Sequence, residues 1–246
     1  MRTVIATIVA LAVSAALSAC GSGNGSGTDT GSGTGSGTGV GAATTPGATP
    51  GVTASAPVLT PARVAPSTTV MIIRHAEKPD GTLPGVDAAG NEDDSSLTTV
   101  GWERAHRLVD LFDPAQGAPA SGIDTPAVIY AAGVTDDGEG QRARETVAPL
   151  SERLGIPVNT DYGRGDEKKL VAQVVDEPGP VLISWQHGGI TEIADAFPSV
   201  KPKPPSDWPD DRFDVIWTFT RTADGWRFAQ VPERLLPGDS PDIIKK

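Results

Sequence analysis

Cysteine occurs once in 246 residues, at Cys20, so no intrachain disulfide can hold this chain together. Histidine occurs three times, at His75, His106 and His187, and no two share the short spacing of a metal-binding pair. Charge is nearly missing from the first 66 residues, which hold only Arg2, Asp29 and Arg63. The remainder therefore carries about −12 of a total net charge of −11. Such an excess repels DNA, RNA and anionic lipid at long range, which argues against nucleic acid as a partner. A small anion is still admissible, because a local cluster of Arg and His can reverse the field inside a pocket. A long hydrophobic run is also missing. The apolar stretch from Val4 to Leu17 is interrupted by Thr7 and Ser14 and falls short of the about 20 residues a spanning helix needs.

That stretch has the length of a signal-peptide core and follows a short positive start, Met1-Arg2. It ends in Leu17-Ser18-Ala19-Cys20, which resembles a bacterial lipobox, in which the cysteine is lipidated. A plain secretory signal with a chance cysteine is the alternative. The lipobox reading predicts an exported bacterial lipoprotein, attached to the outer face of the cell membrane through lipid on Cys20. Residues 21–67 are a Gly/Ser/Thr tract that gains Pro and Ala after Thr45. With no hydrophobic period it cannot offset its ordering entropy, and it reads as a disordered tether. The expected organisation is a signal peptide over 1–20, a tether over 21–67 and one domain over 68–246, a size that can bury its own core.

Within the domain, apolar runs at 68–73, 127–131 and 180–185 read as buried strands, with a short strand at 156–159. Helices are expected from Thr98 or Thr99 to Phe112, over 141–154 up to Gly155, over 166–175, and from Thr191 to Phe197. Pro149 should bend the second of these or cost it a hydrogen bond. The segments 213–220 and 226–231 flank Ala223-Asp224-Gly225, a hairpin signal. Strands alternating with helices predict an α/β fold: a three-layer sandwich with a mostly parallel central sheet flanked by helices, plus a C-terminal β-hairpin.

In open α/β sheets, ligands collect beyond the carboxyl ends of the strands. Arg74-His75 follows the first strand, His187-Gly188-Gly189 follows the strand at 180–185, and Arg142 opens the helix at 141–154. A transferring phosphoryl group gathers negative charge on its oxygens and needs fixed positive charge above all. Arginine offers a bidentate fork, a helix N-terminus offers N–H donors, and a neutral imidazole can act as nucleophile. Arg74, His75, Arg142 and His187 make up that set if their loops converge. Arg144 reads as a solvated helix charge and His106 as an exposed one. Glu77 could orient His75 or simply pair with Lys78. Trp185 reads as core, and Trp208, Trp217 and Trp226 as packing for the hairpin.

Four blocks carry a resemblance: Thr69-Val-Met-Ile-Ile-Arg74-His75-Ala-Glu77-Lys78, Leu97-Thr98-Thr99-Val-Gly101-Trp-Glu-Arg104-Ala105, Arg142-Ala143-Arg144-Glu145-Thr146, and Leu182-Ile-Ser-Trp-Gln-His187-Gly-Gly-Ile190. In this order they resemble the histidine phosphatase superfamily, the phosphoglycerate-mutase-like fold. The resemblance implies a phosphohistidine intermediate at His75, with Arg74, Arg142 and His187 binding the phosphoryl group of a small phosphorylated substrate. It implies neither metal nor organic cofactor. The family's general acid, where present, is a carboxylate downstream of the third block, and Glu167 or Asp166 lies at a suitable place. The chain departs from the pattern at Gly138, where many members have serine, and in the acidic loop 135–140. The expected function is a metal-independent phosphatase of phosphate monoesters. The departures keep open a phosphate- or phosphoprotein-binding surface module without turnover, and the tether alone would suit a structural surface protein. No protein partner is legible.

Overall fold

The computed structural model describes residues 68–245. The expected signal peptide, the lipidation site at Cys20 and the tether lie outside the described residues. Seven strands form one sheet in the order β3-β2-β4-β1-β6-β7-β5. At its centre is β1 (Thr69–Arg74), buried along its whole length, as suits a strand of β-branched and long apolar side chains. It pairs in parallel with β4 (Val181–Trp185), and β4 pairs in parallel with β2 (Val128–Ala131), which pairs with β3 (Val158–Asn159). On the other side β1 pairs antiparallel with β6 (Val215–Thr222), the first arm of a hairpin with β7 (Gly225–Pro232). The sheet is thus mostly parallel with an antiparallel flank, as expected.

Four helices connect these strands: α1 (Thr99–Phe112), α2 (Gln141–Leu154), α3 (Glu167–Val174) and α4 (His187–Ala196). The connections from β1 to β2 and from β2 to β3 run one way across the sheet, the connection from β3 to β4 runs back, and parallel crossovers as a rule are right-handed. That places α1 and α2 on one face and α3 on the other. Accordingly α1 packs on α2, and α4 packs on α3. Thr98 caps α1 by accepting from the Gly101 N–H, and Ala105, Leu108 and Phe112 turn one buried stripe to the core. Gly155 ends α2 in a left-handed conformation. The helix runs unbroken through Pro149, which removes one donor without ending it.

Two elements differ from the expectation. Helix α4 begins at His187, four residues before Thr191, so both glycines are helical. Glycine is a poor helix former, but Gly189 is required by a close approach. A Cβ there would lie 2.5 Å from Trp185 Nε1 and 2.8 Å from Glu167 Oε1. Between α4 and β6, where the sequence offers no strand signal, Val200–Lys201 forms β5, parallel to β7 at the sheet edge. The hairpin packs through aromatic contacts: Phe197 stacks on Phe219 at 4.6 Å, Trp208 meets Trp217 at 5.0 Å and Trp226 meets Phe197 at 5.0 Å. Such pairs add about 0.5–1.5 kcal/mol each beyond their buried area. Trp185 is fully buried. Among the described residues no helix is long and apolar enough to cross a membrane.

Candidate active site

The register of β1 against β4 sets the site. Arg74 faces Trp185 across the parallel pair, and the His75 N–H donates to the Trp185 carbonyl at 2.9 Å. His75 and His187 therefore leave adjacent strands at the same level. β2 ends beside β4, and its outgoing loop leads to Arg142. These three chain ends converge on a cavity of about 460 Å³ lined by His75, Lys78, Arg142, Arg164, Glu167 and His187 among others.

His75 is 6% exposed. Its Nδ1 lies 2.8 Å from the Ala76 carbonyl, which can only accept, so the neutral ring carries its proton on Nδ1 and its lone pair on Nε2. Burial, opposed by that hydrogen bond and reinforced by Arg74, Arg142 and Lys78, lowers the His75 pKa to about 3. The imidazole is neutral across the physiological range. A Thr146 hydroxyl accepts from the Ala76 N–H at 2.8 Å and donates to the Arg142 carbonyl at 2.7 Å, tying the segment after β1 to α2.

Arg74 is buried and stacks on Phe213 at 3.9 Å. Its Nη1 donates to the carbonyls of Asp210, Pro209 and Arg212 at 2.6, 3.2 and 3.2 Å. Its Nε and Nη2 are buried with no hydrogen-bond partner among the described residues. Arg74 lies behind the cavity wall, not among the lining residues. Burial lowers its pKa to about 10, which leaves it a cation.

Arg142 is half-buried at the start of α2, held by the carbonyls of Asp94 at 2.6 Å and Ser96 at 3.3 Å. Glu145 fixes that loop in turn, accepting from the Ser96 hydroxyl at 2.8 Å and the Leu97 N–H at 2.9 Å. Arg144 is exposed, as expected. Gly138 has φ +83°, and a Cβ there would lie 2.5 Å from Ser95 Oγ, so a serine does not fit this loop as it stands.

Glu167, the first residue of α3, lines the cavity, whereas Asp166 points to an ion pair with Lys169 at 2.6 Å. Both Glu167 oxygens are engaged: Oε1 accepts from Trp185 Nε1 at 3.2 Å and Oε2 from the Gly165 N–H at 2.9 Å. His187 opens α4, and its Nε2 lies 2.7 Å from Asp210 Oδ1. Burial lowers the His187 pKa, with Arg74 adding to the effect and Asp210 opposing it.

Glu77 neither orients His75 nor pairs with Lys78. It accepts from Arg104 at 2.8 Å, and the buried Arg104 also meets Glu233 at 2.8 Å and Asp239 at 2.7 Å. Burial pushes the Glu233 carboxyl up to about 8 against the pull of Arg104. Sequence reasoning missed this cluster, the Glu145–Thr146 pair and Asp210. A signal existed for three of these residues: Arg104, Glu145 and Thr146 fall on the apolar stripes of their helices, where a polar residue needs a buried partner. No group of three or more His, Cys, Asp or Glu side chains among the described residues is placed to hold a metal ion.

No known family profile and no curated protein matches this sequence. Among solved structures, a mycobacterial glucosyl-3-phosphoglycerate phosphatase aligns at 16% identity with a TM-score of 0.42, over 68% of this chain and 98% of its own. Mycobacterial hydrolase 1 aligns at 16% identity and 0.42, over 66% and 97%, and mycobacterial hydrolase 2 at 13% and 0.40, over 72% and 93%. Likeness at this level assigns no chemistry to this chain.

Proposed function

We propose that this domain hydrolyses phosphate monoesters through a covalent intermediate on His75. The observation that carries the reading is the state of that imidazole: buried, neutral, tied through Nδ1 to a carbonyl, and lining a cavity with Arg142 and His187. The resemblance of the four sequence blocks to histidine phosphatases supports this reading, since it implies the same roles for His75, Arg142 and His187. In the first step the Nε2–P bond forms as the ester P–O bond breaks, and the departing oxygen takes a proton from Glu167. In the second, water attacks phosphorus, the P–N bond breaks, and inorganic phosphate leaves. Arg142 neutralises charge on the phosphoryl oxygens and the His187 imidazole donates an N–H to one of them, with the two unpartnered Arg74 donors behind them. Glu167 lines the cavity and is the candidate proton carrier of the scheme, giving a proton to the departing oxygen in the first step and taking one from the attacking water in the second.

The scheme needs no metal. Turnover of a generic aryl phosphate is expected to survive EDTA and to vanish in His75→Ala, with the melting transition retained. Full activity in that variant would overturn the reading. The engagement of both Glu167 oxygens favours a second reading, a phosphate-binding module without turnover. Steady phosphate release that depends on His75 would dismiss it.

The N-terminal sequence suggests where the domain works: outside the cell membrane, tethered through lipid on Cys20. Cys20→Ser is expected to move the protein from the membrane fraction to the soluble one, and an unchanged distribution would remove the proposal.

A further inference from the structure

The second histidine of the site has company. His187 Nε2 lies 2.7 Å from Asp210 Oδ1, and the Asp210 side chain is 85% exposed. The backbone beneath that carboxylate is fixed. Three carbonyls of 209–212 accept from Arg74 Nη1, and Trp208 Nε1 donates to the Arg212 carbonyl at 2.8 Å. Asp210 thus reaches His187 from an anchored base, and only its side chain is free to turn.

An imidazole N–H has one proton to donate. A carboxylate oxygen at 2.7 Å takes the direction a phosphoryl oxygen would need, and both oxygens are anionic. We infer that Asp210 is a specificity-determining residue of this site: its carboxylate holds the His187 hydrogen bond that a phosphoryl oxygen must take, so an anion is clamped only if it displaces Asp210. The inference rests on the phosphatase reading above. It makes Asp210 an internal competitor, which a doubly charged phosphoryl group overcomes more readily than a singly charged anion does.

Displacement requires room, and room is present. A second cavity of about 490 Å³ adjoins the first, lined by Asp210, Asp211, Leu83, Val100 and Phe213, and Lys78 lines both. The carboxylate can rotate off His187 into this space while its carbonyl stays on Arg74. Lys78 offers the turned side chain a countercharge.

The test compares inorganic phosphate binding by the full chain with Asp210→Ala, Asp210→Asn and Asp211→Ala, using calorimetric Kd and inhibition of aryl phosphate turnover. Removing the competitor should tighten phosphate about ten-fold in Asp210→Ala and lower KM in the same direction, the size of one charge-assisted hydrogen bond. Asp210→Asn keeps the shape without the charge and should tighten it less. Asp211→Ala removes an equal charge that is not on His187 and should change binding by no more than about two-fold. In a His187→Ala background, Asp210→Ala should have no further effect. Phosphate bound by the wild type but no more tightly by Asp210→Ala would overturn this inference alone. Weaker binding would mean that Asp210 supports the His187 cation instead. No binding and no turnover in any of these proteins would sink the phosphatase reading and this inference together.

Discussion

A histidine that is 6% exposed and bonded to a carbonyl behaves unlike one in water, and His75 makes that difference measurable. Its folded-state pKa of about 3 lies below the solution value of 6.5, chiefly through burial. Below pH 6.5 the unfolded chain binds a proton that the native ring refuses. The contribution of His75 to stability is therefore present above pH 6.5 and lost as pH falls from there toward 3. Denaturant titrations should show this slope in the wild type and a shallower one in His75→Asn. Activity follows the same logic. Turnover should persist at pH 5, where an ordinary imidazole would be mostly protonated. A rate that collapsed with a midpoint near 6.5 would mean that His75 is solvated or is not the nucleophile.

The structural elements hold the site through buried polar ties as much as through apolar packing. Arg104 joins α1 to Glu77 after β1 and to Glu233 and Asp239 after β7. Arg104→Met would leave Glu77 and Asp239 without their cation and Glu233 without its hydrogen-bond donor, and breaking a buried ion cluster costs about 3–5 kcal/mol. The denaturation midpoint should fall accordingly, and a shift of less than about 1 kcal/mol would show that the cluster is hydrated. This level is also where the sequence was least legible. Apolar runs and a capping threonine announced β1, β4 and α1 nearly to the residue, because burial on both faces and a single hydrogen bond leave clear local marks. α2 was legible down to its last residue through Gly155. The start of α4 was not, because two glycines argue for a loop unless one knows that Trp185 and Glu167 leave no space for a Cβ. Candidate site residues standing at strand ends were legible by position. The partners of Arg104 and the carboxylate on His187 were not, since they come from chain more than a hundred residues away, or from a loop with no periodicity.

On the scale of the whole molecule, charge is the dominant fact. The region beyond residue 66 carries about −12, yet the proposed substrate is an anion. Its approach is opposed by the field outside the cavity and favoured only within reach of Arg142, Arg164 and Lys78. Screening should therefore help: kcat/KM for a dianionic substrate is expected to rise roughly two- to five-fold between about 20 and 200 mM salt, as the Debye length shortens. A fall instead would mean that the cavity's own field reaches past the surface and steers the substrate in.

The ion cluster around Arg104 has a temporal side. Asp239 lies 135 positions after Arg104 in the chain, and β6, which completes the burial of β1, is made late as well. While such a chain is being synthesised, His75 emerges early, but its setting does not exist until residues 215–239 have followed. If His75 is the nucleophile proposed above, a fragment that ends before residue 215 carries that residue without the setting its chemistry needs.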